Sequence, residues 1–159
     1  MRRSVWAVVA AGLLLGSAQV YADVWDQDTL NDEDDGNETD NEMVHGMRQV
    51  HDLAAEAGVI DQDWYRATSQ ARSSYEVVVD GLTGDVFSNI LPVERVTAAG
   101  AVLNTSSNLP GGGDNATRSL RWENSTSAAV IDFVRVNGNN TSCTTACGTN
   151  DQYTIRFYE

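Results

Sequence analysis

From Met43 onward, apolar and polar residues alternate with a period of two in short runs separated by polar turns. That spacing gives each run one face for a core and one for water, the mark of half-buried strands. Residues 61–68 and 74–81 carry the strongest signal. Trp64, Tyr65, Tyr75 and Val77, Val78 and Val79 are aromatic and β-branched residues that suit a pleated surface, and Gly81 ends the second run. An antiparallel pair is expected from the two. Residues 43–53 predict a first strand, broken at Gly46 as at a bulge. Residues 93–97 and 101–105 predict a hairpin around 98–100, with Val93, Arg95 and Thr97 on one face. Further strands are predicted over 118–124, with Leu120 and Trp122 on one face, over 129–136, and over 151–159, with Tyr153, Ile155 and Phe157 aligned. Residues 110–113, Pro-Gly-Gly-Gly, predict a flexible loop, and 54–60 a loop or helical turn. The pattern as a whole predicts an all-β chain: a jelly-roll-like β-sandwich of seven to eight antiparallel strands.

The segment before this region has a different texture. Arg2 and Arg3 precede an apolar run over 5–16 that is too short to span a bilayer, and small residues near Ala22 fit a cleavage site. The expected organisation is a signal peptide over 1–22, an acidic flexible segment over 23–42, and the sandwich over 43–159. The expected location is secreted or periplasmic in a bacterium, with no membrane attachment after cleavage. Residues 23–42 are dense in Asp and Glu and offer little to bury, so they are expected to be extended. An EF-hand register placing Asn31, Glu33, Asp35, Gly36 and Glu42 on ligand positions fails, because Glu38 falls where an apolar residue would pack.

The chain of 159 residues has a net charge of −13, and its ten basic residues are all Arg. Cleavage after Ala22 removes two Arg and no acid, which deepens the charge to −15. Nucleic acid and anionic membranes are excluded as partners, since phosphate binding needs clustered cations. What remains is enough for one core, and a monomer is expected. The two cysteines, Cys143 and Cys147, predict a disulfide that closes a small loop in an exported protein. Two thiols without a nearby His would fill only half of a zinc sphere.

No Gly-x-Ser-x-Gly elbow, His-Glu-x-x-His helix or catalytic cysteine occurs. His45 and His51 adjoin no nucleophile in sequence and read as surface or strand residues. A hydrolase working through paired acids such as Asp61 and Asp63, or Glu94 and Glu123, is the less favoured reading, and the chain is expected to be non-enzymatic. Trp25, Trp64, Trp122 and Tyr158 are either a contact platform or core, with core favoured for Trp64 and Trp122. Asp61 and Asp63, at the start of a strand, either cap a turn or hold a cation.

Asp61-Gln62-Asp63-Trp64-Tyr65, followed by Tyr75-Glu76-Val77-Val78-Val79, resembles the strand pair of the bacterial pre-peptidase C-terminal domain. Val93-Glu94-Arg95-Val96 with Gly100 and Val102-Leu103 is similar to that family's hairpin, and Phe133-Val134-Arg135-Val136 and Tyr153-Thr154-Ile155 to its closing strands. The family is a β-sandwich module of secreted peptidases, related to the collagen-binding domains of clostridial collagenases. The resemblance implies a non-catalytic exported module that binds an extracellular protein or polysaccharide, or assists a secreted partner. The alternative is a structural or adhesive part of a larger exported protein. In calcium-binding members, acids and Asn before the first strand join the Asp pair. Here that implies a calcium site of Glu38, Asp40, Asn41, Asp61 and Asp63, although Asn37-Glu38-Thr39-Asp40-Asn41 departs from the family's Glu-Pro-Asn-Asp run.

Overall fold

The computed structural model describes residues 36–39, 41–53, 61–84, 86, 92–109, 117–137 and 147–159. These hold ten strands: β1 (Glu42–Met43), β2 (Arg48–Asp52), β3 (Gln62–Ser69), β4 (Ser74–Asp80), β5 (Val93–Val96), β6 (Val102–Thr105), β7 (Ser107–Asn108), β8 (Arg118–Glu123), β9 (Val130–Asn137) and β10 (Gln152–Tyr158). Two five-stranded sheets result, the first in the order β1-β3-β9-β5-β6 and the second β2-β10-β4-β8-β7. Every pairing is antiparallel except β1 with β3, which is parallel. The all-β sandwich expected from alternation is what forms. The predicted signal peptide, most of the acidic segment, the loops over 54–60 and 110–113, and Cys143 lie outside the described residues.

Strand pairing departs from the sequence reading in three places. β3 and β4 are not a hairpin: β3 lies between β1 and β9, and β4 between β10 and β8, in opposite sheets. The link over 70–73 crosses from one sheet to the other, with Arg72 in the left-handed region at φ 57°. Asn124 clamps this crossing, its buried amide donating to the carbonyls of Ser69, Gln70 and Ala128 at 2.9 Å each. Both strands carry an inward apolar row, Tyr65 and Ala67 against Tyr75, Val77 and Val79, and these rows meet face to face. Alternation states which face is buried and is silent on the neighbour.

The expected first strand is likewise two strands, β1 and β2, in different sheets. The chain turns over 44–47, where Met47 N–H donates to the Val44 carbonyl and Gly46 sits at φ 78°. This division and the short β7 raise the strand number to ten from the expected seven to eight.

The β5–β6 hairpin forms as predicted, but its register shifts between Arg95 and Val96. Val93 and Arg95 keep the shared inward face expected of them, opposite Val136 and Val134, while Val96, opposite Phe133, is buried on the other face of the strand. The bulge tips the turn over the outer face of the first sheet. At the tip Gly100, φ 79°, comes so close to Trp64 that a Cβ there would lie 3.8 Å from the indole. Trp64 is buried beneath it, edge-on to Phe133 at 6.2 Å and capped by the Arg135 guanidinium at 5.6 Å, which Glu94 holds at 2.6 Å. The expectation that Trp64 and Trp122 are buried holds. Only Trp122 belongs to the main core, where Tyr75 stacks between it and Phe157 at 5.4 and 5.6 Å.

Candidate functional site

Between the sheets the apolar packing is interrupted by two buried polar centres. At the first, β2 directs Gln49 and His51 inward, β3 directs Asp63 and Tyr65, and β10 directs Tyr153; all five are buried. The Tyr153 hydroxyl donates to Asp63 Oδ2 and lies 2.6 Å from the Tyr65 hydroxyl. His51 stacks on the Tyr153 ring at 5.7 Å and meets Tyr65 edge-on at 5.1 Å. Its Nε2 is 2.8 Å from Gln49 Oε1, and its Nδ1 is 3.8 Å from Asp63 Oδ1. Burial, reinforced by the charge of Asp63, pushes the Tyr153 phenol well above its ordinary range, so it stays a neutral donor. A buried carboxylate is tolerable where donors meet it, and this centre is sealed from solvent.

The second centre is Asp132 of β9. Its carboxylate accepts from Ser69 Oγ at 2.5 Å, Trp122 Nε1 at 3.0 Å, and Arg95 Nε and a terminal nitrogen at 2.9 and 2.6 Å. Four strands, β3, β5, β8 and β9, meet at this one group, and β8 belongs to the opposite sheet. Arg95 also lies over the Trp122 ring at 5.8 Å.

The residues singled out for calcium are partly brought together. Parallel pairing sets Glu42 beside Arg66, the Asn41 carbonyl accepts from Arg66 N–H at 3.0 Å, and Thr39 Oγ1 donates to the Trp64 carbonyl at 3.0 Å. The segment that ends in Asn41 therefore runs along the strand that follows Asp61, and Asn41, Asp61 and Asp63 are all buried. Glu38 is exposed, and Asp40 lies outside the described residues. Asp63 does not cap a turn; it belongs to the first polar centre. Among the described residues no group of three or more His, Cys, Asp or Glu converges as a metal cluster. The buried Asn41 amide has no hydrogen-bond partner for either Oδ1 or Nδ2, and an amide oxygen so placed fits the hard-oxygen chemistry of calcium.

Accessible chemistry lies on the outer face of the second sheet. An open groove of about 480 Å³ is lined by Tyr75, Glu76, Arg121, Trp122, Tyr158 and Glu159. Tyr158, Glu76 and Arg121 are successive cross-strand neighbours on β10, β4 and β8. Tyr158 is 40% exposed. Glu76 accepts from Ser119 Oγ at 2.6 Å and from Arg121 at 2.8 Å. The Ser119 hydroxyl, and then Arg121, hold the Glu76 carboxyl below the usual carboxylate range against an opposing effect of burial. Of the histidines, His45 is exposed and accepts from Glu159 N–H at 2.9 Å, whereas His51 is sealed in the core. The sequence reading missed His51, Asp132 and Tyr153 as polar centres. Their parity with Leu53, with Val134 and Val136, and with Ile155 was the available sign that they face inward.

Fold and site define a two-sheet, all-β sandwich with polar centres between its sheets and an open aromatic groove on one face. No family model matches the chain, and no curated protein matches it. Among solved structures it is similar to the pre-peptidase C-terminal domain of a collagenase from Bacillus anthracis, at 10% identity and a TM-score of 0.47, over 74% of this chain and 92% of that one. This is the kind of domain that the strand motifs resemble.

Proposed function

We propose that the chain is a non-catalytic, exported β-sandwich module that binds an extracellular glycan or protein through the outer face of its second sheet. The observation that carries this reading is the groove at Tyr158. A half-exposed aromatic stands beside a matched Glu76–Arg121 pair, giving an apolar platform with fixed polar neighbours. Tyr158 is at the surface, so its removal should spare the fold. Retention on a panel of insoluble polysaccharides and denatured fibrous protein should therefore include at least one matrix from which Tyr158→Ala elutes about tenfold more readily at an unchanged melting temperature, a loss of about 1.4 kcal/mol. No retention on any matrix, or retention indifferent to Tyr158, would refute the reading.

We propose that calcium binding, with Glu38, Asp40, Asn41, Asp61 and Asp63 as its ligand set, accompanies this function. The buried, unpartnered Asn41 amide supports it. A ligand that binds only the folded state raises the unfolding midpoint once its concentration exceeds its dissociation constant, by about 2.7 kcal/mol at a hundredfold excess. Calcium should raise the melting temperature over chelator, and Asn41→Ala should abolish most of that rise. Asn41 is a cleaner probe than Asp63, whose loss also disrupts Tyr153. Equal melting with and without calcium would leave Asn41 as a packing residue. The same exported setting favours a Cys143–Cys147 disulfide; Cys147 is buried against the core.

A further inference from the structure

The groove at Tyr158 has a neighbour. A second open cavity of about 240 Å³ is lined by Asn104, Thr105, Ser107, Leu109, Ser119 and Arg121. Arg121 forms a wall of both cavities, and Ser119, which lines the second, donates to Glu76 of the first. Asn104 Nδ2 donates to the Arg121 carbonyl at 2.8 Å and ties β6 to β8 at this junction. The two cavities thus succeed one another across β10, β4, β8 and β7, perpendicular to the strands. One end is aromatic, the other carries hydroxyls and an amide, and Arg121, its side chain 69% exposed, stands between them.

We infer that the two cavities form one trough for a neutral polysaccharide chain, with a stacking subsite at Tyr158, a hydroxyl-binding subsite at Thr105 and Ser107, and Arg121 as the donor between them. This rests on the reading of the Tyr158 face as the binding face. Three inter-strand steps of about 4.8 Å span roughly 14 Å, the length of a short oligosaccharide. The trough crosses the strands instead of following a sheet edge, so it presents side chains and no row of free backbone groups. An added peptide strand would need that row. Charge selects a neutral chain. Glu76 already balances Arg121, Glu159 adds an acid, and the net charge of −13 repels a polyanion.

Titration calorimetry of the mature chain with neutral cello-, chito-, xylo- and manno-oligosaccharides of two to six units tests the inference. At least one series should gain about tenfold or more in affinity from the disaccharide to the tetrasaccharide, as the second subsite fills. Tyr158→Ala and Thr105→Ala/Ser107→Ala should each remove that gain, and polygalacturonate should not compete. Retention of denatured fibrous protein through Tyr158, with no oligosaccharide bound, would overturn the trough and leave the binding face standing. Affinity independent of length, or tighter binding of polygalacturonate, would overturn it as well. If nothing binds and Tyr158→Ala changes no retention, the trough and the binding face fall together.

Discussion

Asp132→Ala should lower the stability of this sandwich by about 3–5 kcal/mol, the cost of breaking a buried charge pair from one side. Arg95, Ser69 and the Trp122 indole all donate to this carboxylate; its removal takes that acceptor from all three and leaves the indole with Ser69 Oγ at 3.2 Å. For a domain whose total stability is of the order of 5–15 kcal/mol, that is a large share. Urea unfolding followed by tryptophan fluorescence measures it directly. Arg95→Ala should cost less, because Ser69 and Trp122 still serve Asp132 and the Arg95 side chain is 22% exposed. A double-mutant cycle should return a coupling above about 1 kcal/mol. A loss below about 1 kcal/mol for Asp132→Ala would mean that this polar centre contributes little to holding the two sheets together.

Tyr153→Phe should be the next most costly polar substitution, about 1–3 kcal/mol at neutral pH, since it removes a hydroxyl that donates to the buried Asp63 carboxylate. Its pH dependence separates a polar role from simple packing. The native Tyr153 pKa is raised, by burial first and by Asp63 second, whereas an unfolded Tyr ionises near pH 10. The unfolded state therefore releases its proton first as the pH climbs. The contribution of neutral Tyr153 is complete below about pH 10 and is lost as the pH rises through the native value. Urea midpoints measured from about pH 8 to about pH 12 should fall in the native chain and fall less steeply in Tyr153→Phe. Parallel slopes would mean that the alkaline loss arises elsewhere.

The groove and the segment around Asn41 and Asp61 differ in how readable they were. Tyr158, Asn41, Asp61 and Asp63 stood out in the sequence as an aromatic and as oxygen donors, and the structure places Asn41 along the strand that follows Asp61. Arg121 and Glu76 did not stand out as a pair, because 45 residues separate them and only the β4–β8 register sets them opposite one another. Thr105 reads only as the end of the second hairpin strand, and alternation does not single out Ser107 or Leu109. They line a cavity because β6 and β7 pass from the edge of one sheet to the edge of the other.

The sequence by itself determined which face of each long strand is buried. Leu120 with Trp122, and Tyr153 with Ile155 and Phe157, point inward as their alternation requires, and the β5–β6 turn closes where Ala98-Ala99-Gly100 permits it. Such features follow from a period of two and from turn chemistry, which are local properties of the chain. The tertiary structure alone decided that β3 and β4 face one another from opposite sheets, and that Trp64 is covered from outside by a bulged hairpin. It also decided that Asp63 finds its donor 90 residues away at Tyr153. Strand parity constrains a side chain's direction and leaves its partner free. Partners are chosen when the sheets close, by the requirement that each buried apolar row meet another and each buried polar group meet a donor or acceptor.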